Sequence, residues 1–191
     1  VYTKLFTIVN EIPTVISQSF LSTGAHAWGS NNPKRLIHLV LCAAALSFSL
    51  TLLVSFLIIF KKSMICKAFL DVEMEIKLAE KMIPIPFYTA PIIGISMTIS
   101  FLMIVIGKPI FSFIPLIIRV VVLCGGCKLI AKKSKGNVTR VMYIYNITDI
   151  SLLIVDLILL FIPIRDIRRK MKEESSKTIV NDYLLQPKAF D

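Results

Sequence analysis

The chain has 191 residues, 55% of them hydrophobic, with a mean hydropathy of +0.77 and a formal net charge of +10. A soluble domain of this length has no interior large enough for that much apolar surface, so the composition gives a polytopic helical membrane protein and not a soluble enzyme. The cations crowd the connectors and the C-terminal stretch (Arg165, Arg168, Arg169, Lys170, Lys172). None of these segments is a folded, aromatic-interleaved surface, which points to membrane lipids with anionic headgroups and away from nucleic acid.

In chain order, residues 3–27 form a moderately apolar first span with a polar stripe of Asn10, Glu11, Thr14, Ser17, Gln18 and Ser22. Spacings of three and four put the stripe on one helix face. Pro13 predicts a kink near Glu11 that frees backbone carbonyls there. A helix lying on the membrane surface is the alternative, but its polar face would carry lysine and arginine, and this one does not. A Gly-, Asn- and Pro-rich connector, GAHAWGSNNPKRL, follows. The second span, 35–60, carries the small-residue run Cys42-Ala43-Ala44-Ala45 for close packing. The charged stretch after it places Ala68, Phe69, Val72, Ile76 and Ala79 on one face, which predicts an interfacial helix near 65–81.

Spans at 83–106 and 109–131 are joined by Lys108-Pro109, too short a link to leave the interface, so they form a helical hairpin. Pro84, Pro86 and Pro91 make its first helix irregular at the start, and Pro115 does the same in the second. A basic connector (Lys132, Lys133, Lys135, Arg140) leads to the last span, 141–163, and a basic tail, 164–191, closes the chain. The expected fold class is therefore an all-α membrane protein with five transmembrane helices in a lobe covering 1–163. Five spans and a start at Val1 inside a helix-like segment read as a piece of a longer protein.

Chemistry concentrates on four ionisable residues in the spans: Glu11, Arg119, Asp149 and Asp156. Arg119 lies about 15 Å along its helix from Pro109, near the midplane, where an arginine costs about 2.5–3.5 kcal/mol on insertion scales. Asp149 and Asp156 are seven residues apart, hence on one helix face. Measured from the same side, Asp156 is about 10 Å deep, Asp149 about 21 Å and Glu11 about 24 Å. The four can thus form one interior cluster. An ion pair between Arg119 and Asp156 is the expected structural element, leaving Asp149 and Glu11 to bind an ion or substrate in a transport pathway. His26, His38, Tyr143 and Tyr145 read as interfacial residues. Cys124-Gly-Gly-Cys127 has metal-like spacing but no second pair, and reads as a small-residue packing site.

Three stretches resemble the multidrug and toxic compound extrusion (MATE) family, in the wider group that includes lipid-linked oligosaccharide flippases. Gly24 to Arg35 (GAHAWGSNNPKR) resembles the exit from the second helix of a lobe. Phe69-Leu70-Asp71-Val72-Glu73 resembles the element preceding the fourth helix, and Gly107-Lys108-Pro109 through Arg119 the hairpin of the fourth and fifth helices. The resemblance covers about 150 residues in order and spacing. It implies two six-helix lobes across a cavity, with this chain supplying most of the C-terminal lobe, its 28–35 connector and tail facing the cytoplasm. The missing N-terminal lobe of the same protein becomes a required partner, and residues 1–191 alone are expected not to transport.

The chain departs from the family where Ile92, Ile93 and Gly94 occupy the region of a fourth-helix aspartate, and where Gly125-Gly126 stands for a proline. The expected function is a plasma-membrane secondary transporter exporting small amphipathic organic cations, drugs among them, in antiport with protons or sodium. No cofactor beyond the coupling ion is expected. A lipid-linked oligosaccharide flippase and a non-transporting receptor or scaffold fragment are the alternatives.

Overall fold

Apolar runs punctuated by proline, glycine and asparagine fold as helices, because only an internally hydrogen-bonded backbone is stable in hydrocarbon. The computed structural model describes residues 2–70, 72–133 and 138–185. These form α1 (Tyr2–Gly29), α2 (Pro33–Phe60), α3 (Lys62–Phe69), α4 (Glu73–Met82), α5 (Pro84–Phe87), α6 (Ala90–Val105), α7 (Pro109–Lys133), α8 (Val138–Leu159) and α9 (Phe161–Leu185). Asp71 and Lys135 lie outside the described residues.

The helix boundaries follow local chemistry. Asn31, at φ 53, turns the chain out of α1, and Pro33 opens α2, where a missing N–H costs nothing. Gly107 takes φ 84 to close α6, a conformation strained for any residue with a Cβ, and Pro109 starts α7 two residues on. The Lys108 N–H donates to the Met103 carbonyl at 2.9 Å across this turn. The expected hairpin is therefore formed. Pro13 and Pro115 both sit inside continuous helices, α1 and α7.

Four stretches of the described residues are long and apolar enough to cross a membrane: Pro33–Phe60, Glu73–Val105, Pro109–Lys128 and Met142–Glu173. The first of the five expected spans is absent from that set. At 28 residues α1 is about 42 Å long, ample for a bilayer, but its polar stripe lowers its hydropathy. It nevertheless packs along both α2 and α6 as part of the bundle.

Helices α1, α2 and α6 form a three-helix core, α7 and α8 form a pair, and α6 joins the two groups. Gly94 lets α6 approach the Ser47 backbone of α2: a Cβ there would stand 3.1 Å from the Ser47 Cβ and 3.2 Å from its carbonyl carbon. Gly126 similarly faces Ile144, so half of the Gly125-Gly126 pair is used for packing α7 on α8. Cys124 and Cys127 are exposed free thiols.

Apolar clusters close both ends of the core. One gathers Phe20, Ala27, Leu36, Leu102, Val105 and Ile167. The other gathers Val9, Ile58, Cys66, Ile83, Phe87 and Ala90. Between them the buried polar side chains Ser17, Ser47, Thr51, Ser96, Thr98, Thr148, Asp149 and Asp156 are interleaved with buried aliphatic ones such as Ile93, Ile99 and Leu152.

Two elements differ from expectation. The interfacial helix near 65–81 is two helices, α3 and α4, separated at Leu70, whose φ of −134° and ψ of 134° are extended. The C-terminal stretch is helical as α9, with distinct inner and outer faces over residues 161–173. Its inner face buries Pro163 and Ile167 and reaches back to the bundle through Asp166 and Lys170. Lys108 pairs with Asp166 at 2.6 Å. The Lys170 Nζ donates to the Trp28 carbonyl at 3.0 Å and sits 3.7 Å from the centroid of the Trp28 ring. The α1–α2 connector, the α6–α7 turn and α9 thus share one end of the bundle.

Candidate functional site

Two aspartates on one face of α8 turn towards α6 and the turn before it. Because α6, α7 and α8 alternate in direction, α6 and α8 run parallel, and a seven-residue step on one matches a seven-residue step on the other. The Thr89 hydroxyl donates to Asp149 Oδ2 at 2.6 Å, and the Ser96 hydroxyl donates to Asp156 Oδ2. These two rungs stand about 10.5 Å apart along the helices. Asn146, one turn before Asp149, brings its Oδ1 to 3.2 Å from the same Thr89 hydroxyl.

The rungs differ in their free valence. Asp156 is fully buried and its Oδ1 has no hydrogen-bond partner among the described residues. Asp149 is also buried, and the Arg119 guanidinium lies within electrostatic range of it. A buried carboxylate in a membrane bundle is stable only when neutralised by a proton, a cation or hydrogen-bond donors, and such residues mark ion pathways. Here each has one hydroxyl and no cation within 4 Å among the described residues.

Beside the rungs is a cavity of about 280 Å³ between α6 and α7. Ser96, Ser100, Ser112 and Arg119 supply its polar wall, and Phe101 and Leu116 are among the apolar residues that complete it. Ser96 therefore belongs to both features, with its hydroxyl on Asp156 and its residue in the cavity wall.

The expected four-residue cluster is not assembled. Arg119 makes no ion pair with Asp156, because Asp156 occupies the α8 face that Ser96 of α6 covers, whereas Arg119 is half-exposed in the cavity wall. Glu11 is exposed on α1. The inward stripe of that helix is Val9, Pro13, Ser17 and Phe20, and Glu11, two residues from Val9, stands about 200° around from it. His26 and His38 are exposed. Tyr143 is exposed as an interface residue would be, whereas Tyr145 packs on the Phe6 ring at 5.5 Å. No group of three His, Cys, Asp or Glu converges as a metal-ligand set among the described residues.

Sequence reasoning missed Thr89 and Ser96. Their signal was the seven-residue interval they share with Asp149 and Asp156 on a parallel helix.

No curated protein matches the chain, and no solved structure does. The family model MatE matches residues 2–124, which contain α1 to α6, the α6–α7 turn and the Arg119 side of the cavity. With that match spanning well over half its length, the chain belongs to the MatE family of membrane transporters.

Proposed function

We propose that the chain is one lobe of a plasma-membrane secondary transporter that exports small organic cations in exchange for protons or sodium, with Asp149 and Asp156 as the ion-carrying groups. The observation behind this reading is the pair of hydroxyl–carboxylate rungs, buried between α6 and α8 with no cation paired to either among the described residues. A carboxylate in that setting can take up and release a proton or small cation as the helices around it rearrange. Glu11, on the outward polar stripe of α1, faces the second lobe in this reading and supplies the negative charge for an organic cation.

The test is exchange in proteoliposomes holding the full-length protein with both lobes. Asp149→Asn and Asp156→Asn are expected to abolish substrate exchange driven by an imposed proton or sodium gradient while leaving substrate binding in place. Gradient-driven exchange at the wild-type rate in both variants removes the aspartates from coupling.

One observation favours the flippase alternative: Arg119 lines the cavity with no ion-paired acid among the described residues, and a cationic wall suits an anionic lipid-linked substrate. Arg119→Gln distinguishes the two. Loss of lipid-linked substrate movement selects the flippase reading, and unchanged export of an organic cation by the same variant selects the first.

A further inference from the structure

We infer that the outward face of α9 is a binding surface for anionic phospholipid headgroups, held in place by the contacts of its opposite face. Phe161, Ile164, Arg165, Arg168, Arg169 and Lys172 recur at intervals that place all six within less than half of the helix circumference. Phe161 is 75% exposed, and Arg165, Arg168, Arg169 and Lys172 are exposed as well. Arg169 meets Glu173 at 3.4 Å, and the other three cations have no acid within 4 Å among the described residues.

The opposite face fixes which way these groups point. Ile167 is buried in the apolar cluster beneath the helix, Asp166 pairs with Lys108, and Lys170 caps Trp28. Contacts to two separate places, the last turn of α1 and the turn between α6 and α7, resist rotation of α9 about its axis. The basic face therefore stays outward.

Depth selects the occupant. α9 starts two positions after Leu159, the last residue of α8, whose 22 residues give a length of about 33 Å, enough to cross hydrocarbon. Its first turn therefore lies where hydrocarbon gives way to headgroups. Phe161 and Ile164 suit the acyl boundary, and the cations beyond them meet phosphate, which guanidinium groups bind by paired hydrogen bonds. A surface with the charge sign of this one and apolar residues at its inner edge is complementary to an anionic leaflet and not to a free anion.

The test is lipid retention by the delipidated full chain in neutral detergent, measured by native mass spectrometry with phosphatidylglycerol and phosphatidylcholine of the same acyl composition. The wild type is expected to retain phosphatidylglycerol preferentially, and to lose the preference as ionic strength rises. Each neutralised cation should weaken phosphatidylglycerol binding about fivefold, the factor that corresponds to a contribution of about 1 kcal/mol per basic residue at a membrane surface. The R165Q/R168Q/R169Q/K172Q variant should show no preference, and K61Q/K62Q/K67Q, at the other end of the bundle, should keep it. Preference that survives the first variant, or is lost equally in the second, overturns the inference. Displacement of phosphatidylglycerol by an equal concentration of inorganic phosphate would also overturn it, by assigning the face to free anions. The salt dependence is measured on the wild type, so the test holds even if a variant does not fold.

Discussion

Ser96 and Thr89 do the same job for different acids, and the consequences of removing them differ. Among the described residues Asp156 has the Ser96 hydroxyl on one oxygen and no partner on the other, so Ser96→Ala removes the one donor seen on this buried carboxyl. The expected loss is about 1.5–3 kcal/mol if Asp156 is charged, read as a lowered thermal midpoint in detergent. Combining it with Asp156→Asn should cost less than the sum of the two single changes, and additive losses would show that the pair does not interact. Arg119→Gln should leave the thermal midpoint near the wild-type value, because no buried ion pair is broken. A drop equivalent to about 3–5 kcal/mol would mean that Arg119 has a charged partner after all. Cys66 offers a third check. It is buried on the inner face of α3, and burial, then Glu80, pushes its thiol above the ordinary range while Lys62 opposes them. A maleimide at neutral pH should reach Cys66 only after unfolding; labelling in the folded protein as fast as in the unfolded one would show that its burial is not maintained. The two aspartates were legible in the sequence because acids are rare in apolar spans. Their hydroxyl partners were not singled out, because serine and threonine are common there. The Arg119 pairing was misread because depth along a helix says nothing about direction around it.

At the scale of elements, proline and glycine punctuation was the most readable part of the chain. Pro33, Gly107 and Pro109 mark boundaries that the backbone obeys, and Pro84 and Pro91 split the start of the hairpin into α5 and α6. The break between α3 and α4 was hidden because apolar residues keep one helical period across it, from Ala68 to Ala79, while the backbone at Leu70 turns extended. The helical character of α9 was masked by its charge: an outer face dense in arginine looks like a polar tail until the inner positions Pro163 and Ile167 are considered together. Packing between elements yields its own prediction. Gly94→Leu should force α2 and α6 apart at Ser47, with a loss of about 1–3 kcal/mol, checked by thermal unfolding. Gly29→Leu, where an added Cβ meets nothing within 4 Å, is the matched control. Equal effects would show that the close approach at Ser47 is not maintained.

Across the whole molecule, one apolar cluster lies towards each end of the core, and the buried serines, threonines, Asp149 and Asp156 lie between them among buried aliphatic side chains. The α1–α2 connector, the α6–α7 turn and α9 meet at one of those ends, so a movement of one must disturb the others. The contact at Trp28 makes that end observable without a label. Trp28 is the chain's one tryptophan, and the Lys170 ammonium rests on its ring. Intrinsic fluorescence therefore reports the seating of α9. Lys170→Met should shift the emission to longer wavelength and make it easier to quench with iodide, as the indole loses its cover. Unchanged emission in that variant would show that Lys170 does not hold the helix down. With the contact intact, the same signal would follow α9 in the purified chain reconstituted into lipid as ions or lipids are added, an optical gauge of how that end of the bundle is seated.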